Sequence, residues 1–420
     1  MGIAQRGLLI FVVCILLFLT EWIPMAAAAV LGCVLMVVFD VASFSEVFGQ
    51  FSSSSVILVI SMMIIGDAMF QTGVAGRVGE MILSISGGNE RKLLFLCVLT
   101  AAVVSAFLSN VATLSMFMAV FQNRQQKEKS LDLRNIMLPV AIACILGGSV
   151  TLVGSAPQMT TQNILTEMTG KGFRFFDYAF VGLILIIILL VYVMTVGYPL
   201  GKRIWGGREI PEEWKREETE EKTVSRHQLR MLFIFVITVI LFFLEPVPLA
   251  VIGAGAAVSC IIFGCTDQRK AFQAVQWSSV TRLAGCLGIV QALKVSGGAD
   301  LLSDAIFSII GTEINAWPLF ICSIVLTQVF SEFMTNGTAL VIILPVVLNI
   351  CNTMGYSLYP FAMGITLASS IAFSTPLSNT PLNMVGVYGY RFRDYFRYGL
   401  GLDIILAVAN ALLVPLFFPF

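Results

Sequence analysis

Phe107-Leu108-Ser109-Asn110-Val111-Ala112-Thr113 sets a small polar tip between two apolar runs. Near the other end of the chain, Phe333-Met334-Thr335-Asn336-Gly337-Thr338-Ala339 repeats the arrangement, with a hydroxyl residue beside an asparagine. Polar backbone at membrane depth is tolerated only where protein buries it or where it lines a cavity, so two such tips predict one shared site. Residues 93–121 are too few for two spans, which need roughly forty residues, and the spacing therefore predicts re-entrant hairpins at 93–122 and 317–351.

The surroundings of the tips agree. Of 420 residues, 58% are hydrophobic and 12% charged, and the mean hydropathy is +0.91, far outside the range of a soluble domain. Apolar runs separated by short loops, without ten-residue alternation, predict an all-α polytopic membrane protein rather than a barrel. Runs at 7–23, 25–41 and 54–72 read as three crossings, the first of them a retained span, and Arg77 and Glu80 among apolar residues at 74–85 mark an amphipathic interfacial helix. At 136–168 and 358–388, Gly, Ser, Thr and Pro concentrate inside apolar stretches, the pattern of a broken helix. The nine cysteines are scattered singly and read as small buried hydrophobes, Cys322 among them.

The second half repeats the first. Pro24, Ser54, Phe39 and Gly73 match Pro248, Ser278, Phe263 and Gly297 at one offset, and Arg174-Phe175-Phe176-Asp177-Tyr178 answers Arg391-Phe392-Arg393-Asp394-Tyr395. We read 1–200 and 230–420 as two copies joined by a charged linker at 201–229. Five crossings per copy invert the second copy, giving about ten crossings and two hairpins. A cytoplasmic linker places Arg77, Arg91, Lys92, Arg124, Lys127, Lys129, Arg134, Arg269, Lys270, Arg391, Arg393 and Arg397 on the same side, as the excess of basic residues on cytoplasmic loops requires. The expected location is the cell membrane.

Such an architecture holds substrate and coupling ions near the midplane. Where a helix begins inside the membrane, free N–H groups and the positive dipole end favour an anion. Where a leg ends, carbonyl oxygens together with Ser, Thr and Asn oxygens suit a small hard cation such as sodium. The substrate candidates are Ser109, Asn110, Val111, Thr113, Thr335, Asn336, Gly337, Thr338, Ser155, Pro157, Thr380, Pro381 and Asn383. The sodium candidates are Ser109, Asn110, Gly154, Thr335, Asn336 and Thr380, with Glu332, one turn before the second tip, as a further cation ligand or a proton carrier. Asp67 and Asp403 read as satisfying backbone or serine partners. Ser115, Ser149 and Ser369 read as bonding their own helices, and Arg282 as snorkelling without a role.

These residues carry a family resemblance. The whole chain resembles the divalent anion/sodium symporters, the dicarboxylate, citrate and sulfate carriers of the ion-transporter superfamily. That family has Ser-Asn-Thr at each tip, a Thr-Pro-Pro-Asn-like motif at each broken helix and a Gly-Tyr-Arg-Phe stretch before the last span. Here Ser109-Asn110-Val111 and Thr335-Asn336-Gly337 match the tips, Gly154-Ser155-Ala156-Pro157-Gln158 and Thr380-Pro381-Leu382-Asn383 the broken helices, and Gly389-Tyr390-Arg391-Phe392 the exit. Val111 and Gly337 depart from the tip threonine, and Gln158 from the asparagine. The resemblance implies sodium-coupled symport of a small di- or trivalent anion (a C4-dicarboxylate, citrate or sulfate) by a homodimer in which hairpins and broken spans move against a scaffold. The second tip is also similar to that of arsenite permeases and sodium/proton antiporters, the alternative reading. An enzyme is disfavoured, since no H-E-x-x-H and no histidine within a span supplies acid–base groups.

Overall fold

The structure, a computed structural model, describes residues 2–20, 22–87, 89–125, 132–205, 226–298, 301 and 315–420. Glu21, Lys127, Lys129 and the charged stretch 206–225 lie outside the described residues. Among the described residues the fold is all helical, and the order of elements occurs twice. The first half runs through Ile3–Thr20, Met25–Val38, a short Phe44–Phe48 helix, Ser54–Gln71, the amphipathic Val74–Ser86, two hairpin legs Glu90–Ser105 and Asn110–Gln125, the broken pair Arg134–Gly147 and Ala156–Thr169, and the closing helix Ala179–Trp205. The second half runs through Arg226–Leu244, Leu249–Ile262, Gln268–Ala274, Trp277–Val295, hairpin legs Ala316–Phe333 and Asn336–Thr353, the broken pair Leu358–Ser370 and Thr380–Met384, and the closing helix Phe392–Phe417. Helices thus reach into both ends of the stretch read as linker, to Trp205 and from Arg226.

Local chemistry recurs with the elements. Pro24 and Pro248 begin their helices with nearly identical backbone angles. Ser43 and Asp267 cap the short helices that follow, accepting from the Glu46 and Lys270 N–H groups. Arg6 donates to the Phe39 carbonyl at 2.8 Å and Arg230 to the Phe263 carbonyl at 3.2 Å. The chain turns with positive φ at Asp40 and again at Gly264, the equivalent position. The helix that begins at Met25 ends at Val38, short of the crossing read at 25–41. Its 14 residues rise only about 21 Å, so its flanking turns must lie within the bilayer boundary or thin it locally. Among the described residues, six helices are by themselves long and apolar enough to cross.

Two packed blocks result. In one, Met25–Val38 lies against Trp277–Val295 of the other half, and Leu249–Ile262 lies against Ser54–Gln71. Small residues allow the approach: a Cβ on Gly285 would lie 2.8 Å from the Ala29 Cβ, and one on Gly253 would lie 3.3 Å from the Ser61 Cβ. Ala29 with Gly285 and Gly253 with Ser61 are the same contact made twice. The other block collects both hairpins, both broken pairs and both closing helices, which pack on one another through Ala179–Tyr192 and Phe392–Phe417. The closing helices therefore pack with the hairpins, not with the remaining spans.

Tyr390 ties the halves of this block together. Its hydroxyl donates to the Arg134 carbonyl and accepts from the Leu138 N–H at 3.0 Å, taking the place of the helical bond between those two groups just before Pro139. Replacing Tyr390 by Phe removes both of these hydrogen bonds. A loss of about 1–3 kcal/mol is expected, read as a lower unfolding midpoint of the detergent-solubilised protein.

Of the cysteines, eight are buried and Cys322 is exposed, a correction to the uniform reading. It lies on the apolar outer face of Ala316–Phe333 beside Trp317, Ile321 and Val325, where a thiol meets lipid as readily as a core.

Candidate functional site

Each tip docks on the broken helix of its own half. In the first, the Ser105 hydroxyl donates to the Asn110 Oδ1 at 2.9 Å, and the Ser109 Oγ accepts the Ala112 N–H at 3.2 Å as the new helix begins. Asn110 lies flat on Gly148, where a Cβ would come within 2.2 Å of its Oδ1. Gly154 folds back onto the Gly148 carbonyl, 2.4 Å from where its own Cβ would be. The Thr151 hydroxyl donates to the Ala106 carbonyl at the end of the first leg. Ser155 precedes the second part of the broken helix, but its hydroxyl bonds the Gln158 Oε1 rather than the backbone. Pro157 occupies the first turn, where its missing N–H costs nothing. Val111 is half-buried, while the Thr113 hydroxyl is enclosed without a partner.

In the second tip, the Asn336 Nδ2 donates to the Asn379 Oδ1 at 2.5 Å, and the enclosed Asn336 Oδ1 has no partner. Thr335 and Thr338 share a hydrogen bond of 2.8 Å, and the Thr338 hydroxyl also meets the Met25 Sδ of the other block at 3.1 Å. Gly337 faces open space. The Thr375 hydroxyl donates to the Glu332 carbonyl, the counterpart of Thr151 and Ala106. Pro381 is buried, while Thr380 and Asn383 are exposed. The residue that touches the second tip is Asn379, next to the candidate Thr380 and equivalent to Ser155. Its position before Thr-Pro was the available signal.

The halves meet crosswise. Asn336–Thr353 packs on Ala156–Thr169, Thr380–Met384 packs on Asn110–Gln125, and Thr161 bonds Thr366 between the broken helices. A cavity of about 20 Å³ lies where the first turns of two helices, at Ala156 with Thr160 and at Gly337 with Thr338, face Ser279, Arg282 and Cys286 of the other block. Arg282, assigned no role from the sequence, is the basic side chain at this junction. Periodicity gave no hint of it because Arg282 stands on Trp277–Val295 of the other block, and only packing brings it to the tip. Ser115, Ser149 and Ser369 each bond a carbonyl of their own helix, as expected. Asp67 accepts from Gln71, one turn away. Asp403 accepts the Phe373 N–H at 3.0 Å and the Ser374 hydroxyl. The Glu332 carboxylate turns from the tip to the Ser374 N–H, at 3.3 Å.

Comparison with known proteins places this geometry. The citrate transporter family model matches residues 15–314 and 311–420. An uncharacterized transporter of Escherichia coli, YfbS, is 21% identical over 97% of this chain and 98% of its own length. The sodium-dependent dicarboxylate transporter SdcS of Staphylococcus saprophyticus is 21% identical over 90% of this chain and 80% of its own. Among solved structures, the YdaH transporter of Alcanivorax borkumensis, described as having an unusual topology, superposes with a TM-score of 0.63 at 12% identity, covering 89% of this chain and 87% of that one. That likeness shows a shared fold. The family and these relatives are transporters, not enzymes.

Proposed function

Because the chain belongs to the citrate transporter family, and is therefore a multi-pass membrane protein that works as a secondary transporter, we propose that it imports a small di- or trivalent anion together with sodium. The observation that carries this reading is the convergence of two helix starts, at Ala156 and at Gly337, with the Arg282 guanidinium on one cavity. Two positive dipole ends and one fixed cation favour a multivalent anion. A C4-dicarboxylate, citrate or sulfate is the substrate class, held by Ser109, Asn110, Thr113, Ser155, Thr335, Asn336, Gly337 and Thr338, with Val111, Pro157, Thr380, Pro381 and Asn383 shaping the turns. Asn379 extends the list. The sodium set is Ser109, Asn110, Gly154, Thr335, Asn336 and Thr380, whose hydroxyl, amide and backbone oxygens suit a hard cation. A sodium-dependent dicarboxylate transporter among the relatives supports that choice.

A cavity of about 20 Å³ accommodates roughly one water, so the anion enters only when the two blocks part. This supports an elevator movement in which the hairpins, broken helices and closing helices travel as one body against the scaffold of inverted repeats. The scaffold would carry a homodimer contact in the cell membrane, with the central linker in the cytoplasm.

The test is uptake of labelled succinate, citrate and sulfate into proteoliposomes, with and without an inward sodium gradient. Sodium-stimulated uptake of at least one is expected. Uptake of none, alongside arsenite- or proton-driven flux, overturns the reading. Arg282→Gln removes a charge-assisted contact worth about 1.5–3 kcal/mol, and a KM raised roughly 10- to 150-fold is expected.

A further inference from the structure

Two acids meet within the membrane-embedded block. Glu332, at the end of the first leg of the second hairpin, and Asp403, midway along Phe392–Phe417, are bridged by a single residue. Ser374 spans them, its N–H to the Glu332 Oε1 and its hydroxyl to the Asp403 Oδ2. The Asp403 Oδ1 takes the Phe373 N–H. The Glu332 Oε2 is fully enclosed and has no donor. Among the described residues neither acid forms an ion pair with Lys, Arg or His. The surrounding groups are the Gln328 amide, bonded to the Asp403 carbonyl, and the Tyr192 phenol, which faces Asp403 from the closing helix of the first half and donates to the Tyr398 carbonyl. Two carboxylates bridged by one serine in a low-dielectric interior, without a cation, do not both stay ionised.

The repeat shows that the fold does not need this pair. The same junction in the first half is made by Thr151 on the Ala106 carbonyl, as Thr375 is on the Glu332 carbonyl. Gly182 and Gly399 approach the equivalent backbone at Ser149 and Phe373, which fixes the register and makes Ile186 the counterpart of Asp403. Where the second half has Glu and Asp, the first has Ala and Ile. The acids occur in one junction only, and that junction is wired to the site: Ser378 bonds the Thr375 carbonyl, and its neighbour Asn379 holds Asn336.

We propose that Glu332 and Asp403 form a proton site, one proton held between the two carboxyl groups and carried with the anion in each transport cycle. The inference rests on the reading of the chain as a coupled anion transporter. The proton comes from water on one side of the membrane and is returned to water on the other, and no other bond changes.

Two measurements test it. Infrared spectra of the purified protein at neutral pH are expected to show a protonated-carboxyl band that is lost only when Glu332→Gln and Asp403→Asn are combined, because a buried carboxyl with no cation beside it stays protonated by itself. In proteoliposomes loaded with a pH-sensitive dye, influx of succinate, citrate or sulfate is expected to acidify the lumen. The proton-to-anion ratio of whatever uptake remains should fall to background in both variants and recover in Glu332→Asp. Absence of the band overturns the proton site whatever is transported, and wild-type anion influx without acidification overturns it as well. If none of the three anions moves, the transport reading fails in that arm, and the band still decides whether the pair holds a proton.

Discussion

Alanine at Asn336 is expected to reduce anion uptake at least a hundredfold while the protein still purifies as a folded species of wild-type size. The side chain does two things at once. Its Nδ2 holds the hairpin to Asn379 on the broken helix, and its Oδ1 is an enclosed acceptor with nothing bound. Removing it leaves the buried Asn379 oxygen short of a donor, at about 1–3 kcal/mol, and deletes a ligand from the site. The two losses fall on the same step, so the effect on transport exceeds the effect on stability. Asn110→Ala is expected to behave alike, since Asn110 holds the first tip through Ser105 and Gly148. Wild-type uptake by both variants would exclude the hairpin tips as the site.

Alanine at Gly148 is the second large effect. The added carbon would sit 2.2 Å from the Asn110 Oδ1, closer than any real contact, so the amide must swing away and the first tip must lift from the broken helix. Overpacking of this kind costs about 1–3 kcal/mol in stability. Because it is absorbed by a site residue, uptake is expected to fall tenfold or more. Uptake in Gly148→Ala decides the point. A single variant with normal kinetics would show that the tip does not depend on this contact.

The tips and breaks were legible because they interrupt apolar runs, and the interruption is itself the structural fact: the hairpins turn within a residue or two of Ser109 and Thr335, and the helices stop where Gly, Ser and Pro accumulate. Recurrent motifs gave the order of the elements for the same reason. What periodicity cannot report is which face meets which across the chain. Arg282 stands 55 residues from Gly337 in sequence and lines the same cavity. Asn379 differs from the candidate Thr380 by one position, the difference between the residue just before a helix and the first residue within it. Asp403 was rightly read as serving a backbone group and a serine, yet nothing in its own helix pointed to Glu332. Likewise the closing helices look like ordinary spans in sequence, and only their packing assigns them to the hairpin block.

The hydroxyl of Tyr390 has a consequence for biosynthesis. It completes the backbone of a helix made much earlier, since Leu138 precedes it by 252 residues. At roughly 5–20 residues per second, a ribosome finishes the first broken span about 10 to 50 seconds before the group that satisfies it is made. Throughout that interval the Arg134 carbonyl and the Leu138 N–H must find each other or water. The first half therefore reaches the membrane with this turn bonded differently from its final form, which is set only when the last span follows.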